Sequence, residues 1–190
     1  MRLMKKQLNA EGFTIIEILV VVVIIGILAS IVVVSFNSTL RKSRDARRLA
    51  DMQEIIKALD TYYVEHNQYP GHVSVYGECE GSCGCWDTST VDNDGDGKPF
   101  IEPLIDEHYL KTTPQDPINN GNCTTGFAYR YYRYDAGSYN CDSSHGAYYV
   151  IGVNDMESSG RPHPQSPGWQ CPNRNWQNEF DWVIGGFEKE

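Results

Sequence analysis

The sequence has no cysteine in its first 78 residues and almost no charge between Phe13 and Phe36. Glu17 is the one charged residue among those 24, and all six cysteines follow them. An even number of cysteines on one side of an apolar segment is typical of disulfide bonds in an oxidising compartment. The candidates are Cys79, Cys83, Cys85, Cys123, Cys141 and Cys171. We expect Cys123 to pair with Cys141, because these two residues bracket a predicted hairpin; free thiols and a zinc site fit less well.

Basic residues are scarce in the second part of the chain. From His66 onward there are seven Lys and Arg against eighteen Asp and Glu, a difference of −11, and the whole chain has a net charge of −9. A nucleic-acid-binding domain needs the opposite sign, so no nucleic acid is expected as a specific ligand. No nucleophile–base pair, phosphate-binding loop or convergent pair of acids stands out, so no enzymatic activity is expected.

The run from Phe13 to Phe36 is predicted to span a membrane. Its 24 residues are enough for about 30 Å of hydrocarbon at about 1.5 Å per residue. A secretory signal peptide has a shorter apolar core with small residues after it, whereas here Gly12 precedes the run, so we expect a permanent anchor. Three cations precede the run and five follow it, which places the C-terminal part in the cytoplasm by the positive-inside rule. The cysteines favour the opposite orientation.

The stretch KKQLNAEGFTIIEILVVVVIIGILA resembles the leader and N-terminal helix of type IV pilins and type II secretion pseudopilins. The matching residues are Lys5 and Lys6 in a short leader, Gly12 before the cleavage point, Phe13 after it and Glu17 four residues later. The resemblance implies that a prepilin peptidase cuts between Gly12 and Phe13 and methylates the new amine of Phe13. It also implies that the domain after the anchor lies outside the cytoplasm, as the cysteines indicate.

Glu17 needs a partner or a route to water, because an isolated carboxylate in hydrocarbon is costly. In a cleaved chain the amine of Phe13 lies four residues away, on the same face of the helix. The resemblance implies that Glu17 pairs with the Phe13 amine of a neighbouring subunit and so sets the stagger of a filament. A lone acid near the lipid interface is the alternative. Many relatives have a proline where this chain has Val34, so a kink there is doubtful.

The helix is predicted to continue as an amphipathic segment over residues 37–68 and to end at Asn67 and Pro70. Apolar residues recur three and four positions apart at Leu49, Met52, Ile56, Leu59 and Tyr63. The basic residues from Arg41 to Arg48 are predicted to form a solvated face, or to contact lipid headgroups or the acidic domains of neighbouring subunits. The loop Pro114–Pro117, with sequence PQDP, is similar to a loop of the major pseudopilins.

Three later stretches are rich in Tyr, Val and Ile and predict strands: FAYRYYRYDAGSYNC, AYYVIGVNDM and DWVIGGF. The expected fold is therefore α+β, with a long N-terminal helical spine and a small antiparallel β-sheet head that contains disulfides. The expected divisions are a removed leader at 1–12, a transmembrane and filament-core helix at 13–36, an amphipathic helix at 37–68 and a globular head at 69–190.

The segment DNDGDGKPFIEPL resembles the first half of an EF-hand loop, because carboxylates alternate along it before a glycine. The match fails at its end, where Pro103 stands in place of the bidentate Glu. We predict an EF-like calcium loop, and a solvated acidic turn is the alternative. Major pseudopilins also bind calcium in the head. The candidate ligands are Asp92, Asp94, Asp96, the carbonyl of Lys98, and Glu102.

The features together predict a structural subunit of a type IV pilus-like filament, assembled as a homo-oligomer through its apolar helix. The precursor is expected to be a single-pass membrane protein in lipid, which meets prepilin peptidase and an inner-membrane assembly machinery before it joins an extracellular or periplasmic filament. A disulfide-bearing head narrowly favours a surface pilus; the PQDP loop and calcium favour the major pseudopilin of a type II secretion system. A monomeric, membrane-anchored calcium-binding or adhesive protein is a further alternative.

Calcium is expected to raise the melting temperature of the protein, and a chelator is expected to lower it. Three carboxylates this close repel one another unless a cation neutralises them, and a ligand that binds the folded state stabilises it. A melting temperature that responds neither to calcium nor to chelator would count against the loop.

Overall fold

A computed structural model describes residues 12–71, 86–90, 100–121 and 125–189. Four of the predicted calcium ligands and the cysteines Cys79, Cys83, Cys85 and Cys123 lie outside the described residues. The chain divides into two compact units, Met1–Leu40 and Arg41–Glu190, and each is described by itself.

The fold is α+β with an antiparallel sheet. The helices are α1 (Ile15–His66) and α2 (Glu102–Asp106), and the strands are β1 (Asp87–Thr88), β2 (Tyr129–Tyr134), β3 (Tyr148–Val153), β4 (Gln170–Cys171), β5 (Arg174–Asn175) and β6 (Trp182–Phe187). Four strands form one sheet in the order β1-β2-β3-β6, and β4 and β5 form a separate hairpin. The three predicted strand segments correspond to β2, β3 and β6, so the sequence prediction of these strands is confirmed.

The C-terminal end of α1 has the local chemistry that the sequence indicates. Asn67 adopts a left-handed conformation with φ 55°, and its N–H donates to the carbonyl of Tyr63 at 2.8 Å. Asparagine tolerates this conformation better than most residues, and a left-handed residue commonly follows the last turn of a helix.

One face of α1 packs on the sheet of the second unit. Met52, Ile55 and Leu59 are fully buried there against residues of β2 and β3, among them Tyr129 and Ile151. Of the five predicted apolar positions, Met52 and Leu59 are buried, while Leu49, Ile56 and Tyr63 lie at the edge of this core. The buried face is rotated from the predicted one because it also contains Asp45 and Arg48, which a count of apolar residues does not include.

The other face of the sheet covers a second core, built around Tyr148, Trp176 and Phe180. All six residues of β3 are buried, as expected for a central strand with a core on both sides. Gly152 in this strand lies against the ring of Phe180, where an added Cβ would come within 2.5 Å of the ring. Glycine is required at this point so that the ring can approach the backbone.

The disulfide that the structure describes differs from the predicted one. Cys141 pairs with Cys171, 30 residues later, with their Cα atoms 4.9 Å apart, so the predicted Cys123–Cys141 bridge is wrong. β2 is the only strand in the described stretch between positions 125 and 140, and its hairpin partner β3 begins after Cys141. The N–H of Asn173 donates to the carbonyl of Tyr139 at 3.1 Å, and this contact brings the β4–β5 turn, with Cys171, beside Cys141.

A buried cluster of charges attaches two loops to α1. Arg48 is fully buried and donates from Nε and Nη2 to the two oxygens of Asp116, at 2.6 and 2.9 Å. Its Nη1 donates to Asp45 at 2.7 Å and to Glu157 at 2.9 Å. Arg44, one turn earlier, donates to both oxygens of Glu157. We call Arg44, Asp45, Arg48, Asp116 and Glu157 the charge cluster.

The carboxylates of the charge cluster also accept backbone hydrogen bonds. Asp116, in the PQDP loop, accepts from the N–H groups of Ile118 at 2.8 Å and Asn119 at 3.3 Å. Asp45 accepts from the N–H groups of Glu157 at 2.9 Å and Ser158 at 2.8 Å. A buried ion pair offsets its desolvation only when its remaining hydrogen-bonding capacity is used in this way.

The prediction of a single basic face from Arg41 to Arg48 is therefore wrong for two of its five cations. Arg48 is inside the second unit and the side chain of Arg44 is about two-thirds buried there, at 33% exposure. The reason is that three carboxylates converge on these two guanidinium groups. Arg41, Lys42 and Arg47 remain exposed.

The hydrogen bonds of the charge cluster favour the ionised carboxylates. Hydrogen bonds from Arg44, and after them those from Arg48, hold the pKa of Glu157 below its ordinary value. Burial raises the pKa of Asp45, but hydrogen bonds from Glu157, Ser158 and Arg48 outweigh it and lower that pKa overall. A carboxylate with a lowered pKa stabilises the fold above its unfolded pKa, and the contribution is lost as the pH falls through the folded pKa.

Replacing Arg48 with Met is expected to lower the free energy of unfolding by about 3–5 kcal/mol, because it leaves buried carboxylates without their cation. Arg47→Met is the matched control: Arg47 is the next residue, is 62% exposed and approaches Asp51 only at 3.8 Å, so a loss below about 1 kcal/mol is expected. Urea unfolding of the detergent-solubilised chain, followed by tryptophan fluorescence, measures both. Equal losses would contradict the assigned role of Arg48.

Acid is expected to destabilise the second unit progressively once the pH falls below about 4.3, the ordinary pKa of a glutamate. The lowered pKa values of Asp45 and Glu157 give this direction. Glu157→Gln removes one of these titrating carboxylates, so its urea midpoint is expected to depend less steeply on pH over this range than that of the wild type. Parallel pH profiles for the two proteins would contradict this assignment.

Candidate functional site

The first helical turn of α1 is closed by reciprocal hydrogen bonds between Thr14 and Glu17. The carboxylate Oε2 of Glu17 accepts from the N–H and the hydroxyl of Thr14, each at 2.8 Å, and Thr14 Oγ1 accepts from the N–H of Glu17 at 3.3 Å. Two N–H groups that α-helix geometry leaves without partners are satisfied in this way. The arrangement is a capping box, and Thr-x-x-Glu is its sequence signature.

The site residues predicted from the sequence do not include Thr14, although the Thr-x-x-Glu spacing indicates it. The capping box means that Glu17 has polar partners within its own chain. The carboxylate of Glu17 is therefore not isolated in a single subunit. Its partners there are the hydroxyl and the backbone N–H of Thr14, and both are neutral.

The predicted processing residues lie next to the capping box. Phe13 is 83% exposed and Gly12 is exposed as well; among the described residues, no atom outside Gly12 and its two chain neighbours lies within 4 Å of a Cβ built on Gly12. The peptide bond between them is thus accessible at the start of α1. In the intact chain Phe13 has an amide nitrogen and no free amine. Cleavage, methylation and the pairing of Glu17 with an amine stay predictions.

The first part of α1, from Ile15 to Leu28, exposes apolar side chains around its whole circumference. Exposure is between 50% and 84% for Ile15, Ile16, Ile18, Leu19, Val20, Val21, Val22, Val23, Ile24, Ile25, Ile27 and Leu28. A continuous apolar surface of this kind marks an interaction site with lipid or protein.

Among the residues that the structure describes, none of the helices is both long enough and apolar enough to cross a membrane.

Of the predicted calcium ligands, Glu102 alone lies in the described residues, as the first residue of α2. The preceding Ile101 has a left-handed φ of 49°, unusual for a β-branched residue, and its N–H donates to Asp87 Oδ2 at 2.7 Å. Across the described ranges, no group of three His, Cys, Asp or Glu side chains is placed to hold a metal ion. Calcium binding at Asp92, Asp94, Asp96, Lys98 and Glu102 stays a prediction.

Comparison with known proteins matches both the start of the chain and its second unit. Residues 8–33 match the prokaryotic N-terminal methylation motif. Type II secretion system core protein G of Aeromonas hydrophila is 32% identical over 110 residues, which are 58% of this chain and 68% of that protein. The protein of the same name in Escherichia coli K12 is 40% identical over 120 residues, 63% of this chain and 72% of that protein.

A shorter match involves a pilus protein. The type IV wide pilus major component PilA4 of Thermus thermophilus is 33% identical over 61 residues, 32% of this chain and 47% of that protein. No solved structure matches this chain significantly. The methylation motif and the two core G proteins agree with the capping box and the exposed apolar helix, and the chain belongs to the family of type IV pilins and type II secretion pseudopilins.

Proposed function

We propose that this chain is a structural, non-enzymatic subunit of a pilus-like filament, and that the filament is the pseudopilus of a type II secretion system. The observation that supports this most directly is the order of features at the start of the chain. An accessible Gly12–Phe13 bond precedes the Thr14–Glu17 capping box, and the box precedes an exposed apolar helix.

The relatives favour a secretion pseudopilus over the surface pilus that the sequence narrowly favoured. Two core G proteins match more than half of this chain, whereas the wide pilus component matches about a third of it. The PQDP loop that the sequence shares with major pseudopilins has a structural role here, since its Asp116 binds Arg48. The Thermus match supports a type IV pilus as the second candidate.

In this proposal, prepilin peptidase cleaves before Phe13 and methylates its amine. The apolar half of α1 holds the subunit in the inner membrane, with the second unit outside the cytoplasm. Assembly machinery then transfers the subunit to a periplasmic filament, where the same apolar surface is covered by other copies. The capping box satisfies Glu17 while the subunit is alone, and a neighbour's Phe13 amine replaces the neutral partner with a charged one. Charge-assisted hydrogen bonds are about twice as strong as neutral ones.

Calcium binding by the acidic loop at positions 92–102 is part of the proposal on the basis of its sequence. Its function would be to stabilise the second unit outside the cytoplasm.

Glu17→Gln and Glu17→Ala are expected to abolish filaments while the subunit is still made and cleaved. Gln keeps an oxygen that accepts the hydrogen bonds of Thr14, so it separates loss of charge from loss of the helix cap; Ala removes both. Asp135→Asn is the control, since it removes one exposed carboxylate of the second unit.

Electron microscopy of sheared surface and periplasmic fractions measures filament yield, and N-terminal sequencing of the subunit measures cleavage. A normal filament yield from Glu17→Gln would contradict the charge pairing. A wild-type subunit that begins at Met1 and forms no filaments would contradict the proposed function as a whole.

A further inference from the structure

The exposed face of α1 in the second unit separates opposite charges along its length. In residues 41–50, the basic segment, the exposed charged residues are the cations Arg41, Lys42 and Arg47, and the acid of this segment, Asp45, is buried. In residues 51–66, the acidic segment, the exposed charges are Glu54, Asp60 and Glu65 against Lys57. The exposed face is thus basic at one end and acidic at the other.

The charges at the two ends have the same angular positions on the helix. Lys42 and Asp60 are 18 residues apart, and so are Arg47 and Glu65. Eighteen residues make five complete turns of about 3.6 residues and a rise of about 27 Å. Lys42 and Asp60 therefore lie on one edge of a strip of helix surface, and Arg47 and Glu65 lie on its other edge. We call this strip the stripe. Between the two cations the exposed side chains are small, with Ser43 and Ala46 among them, so that another helix has room to approach closely.

Within the chain, Arg47 and Glu65 on this stripe make only a long ion pair and a hydrogen bond to a neutral group, respectively. Arg47 approaches Asp51 at 3.8 Å and stays 62% exposed. Glu65 accepts a hydrogen bond from Tyr109 at 2.6 Å, which is a neutral donor. The stripe therefore has exposed charge of opposite sign at its two ends.

We propose that the basic segment of one subunit docks on the acidic segment of a second copy of this chain, parallel to it and displaced by about 27 Å along the helix. The contact depends on the filament proposed above. Such a contact joins different patches of two identical chains, so it repeats without closing and generates an open filament. An anionic lipid surface would satisfy the cations as well, but it would leave the matching spacing of the acidic segment without a role.

The copy in this contact differs from the copy whose Phe13 amine meets Glu17. Those two residues are four positions apart, a rise of about 6 Å, which does not match 27 Å. Each subunit would therefore have one neighbour at a short stagger and another at a long one. Exposed ion pairs are individually weak and are screened by salt, so their effect here is to select the stagger rather than to supply most of the binding free energy.

Charge exchange between the two segments tests the contact. The variant Lys42→Glu/Arg47→Glu is expected to lower filament yield at least tenfold, because it places like charges against each other. Adding Asp60→Lys and Glu65→Lys to the same chain is expected to restore the yield, since both segments are then reversed. Lys111→Glu/Lys189→Glu is the control: it reverses two exposed cations outside both segments and is expected to leave the yield within twofold of wild type.

Electron microscopy measures the filaments, and a thermal melt of each detergent-solubilised subunit verifies its fold. The contact would be contradicted if the variant with all four substitutions melts normally but does not restore filaments. The contact would also be contradicted if Lys42→Glu/Arg47→Glu assembles normally but no longer binds vesicles of anionic phospholipid. That outcome would assign the cations to lipid headgroups. Absence of filaments from the wild-type chain would instead contradict the proposed function.

Discussion

The burial of one guanidinium group determines how the second unit is built. Arg48 lies on the face of α1 that packs on the sheet, and it is fully buried with three carboxylates around it. Asp45 comes from the same helix, while Asp116 and Glu157 come from loops 68 and 109 residues further along the chain. Both loops are thus held on α1 by the same side chain. Because a buried charge is costly when it loses a partner, the three segments depend on one another.

Two charged residues of α1, Arg48 and Glu17, have their charges satisfied in different ways. At Arg48 the charges are paired permanently inside the protein. At Glu17 the carboxylate has a neutral partner, Thr14, and lies on the surface of an apolar helix. The first arrangement stabilises the fold of the second unit. The second leaves the Glu17 carboxylate without a cationic partner in the first helical turn. The proposed filament subunit would need both, because its head must be stable alone while its helix would exchange lipid for other subunits.

Much of the fold follows from local patterns, and the exceptions share one cause. The Tyr- and Val-rich stretches predict β2, β3 and β6, and Asn67 predicts the end of α1, because each signal lies within a few residues. Arg48 was assigned to a basic surface because periodicity counts apolar residues, and the carboxylates that justify its burial are distant in sequence. The partner of Cys141 was wrong for the same reason: it depends on where the β4–β5 hairpin packs. Thr14 differs, since the Thr-x-x-Glu signal was local and visible.

The capping box has a consequence for the ends of a filament. In the proposed function, cleavage after Gly12 removes neither Thr14 nor Glu17, and it adds an ammonium group at the helix end where the backbone dipole is already positive. In a row of subunits joined by amine–carboxylate pairs, the Phe13 amine of every interior copy is paired with one neighbour and its Glu17 carboxylate with another. The terminal copies do not: one end of the row has an unmatched cation and the other an unmatched anion. The two tips therefore differ chemically, and a subunit approaching the row is distinguished by which tip it meets.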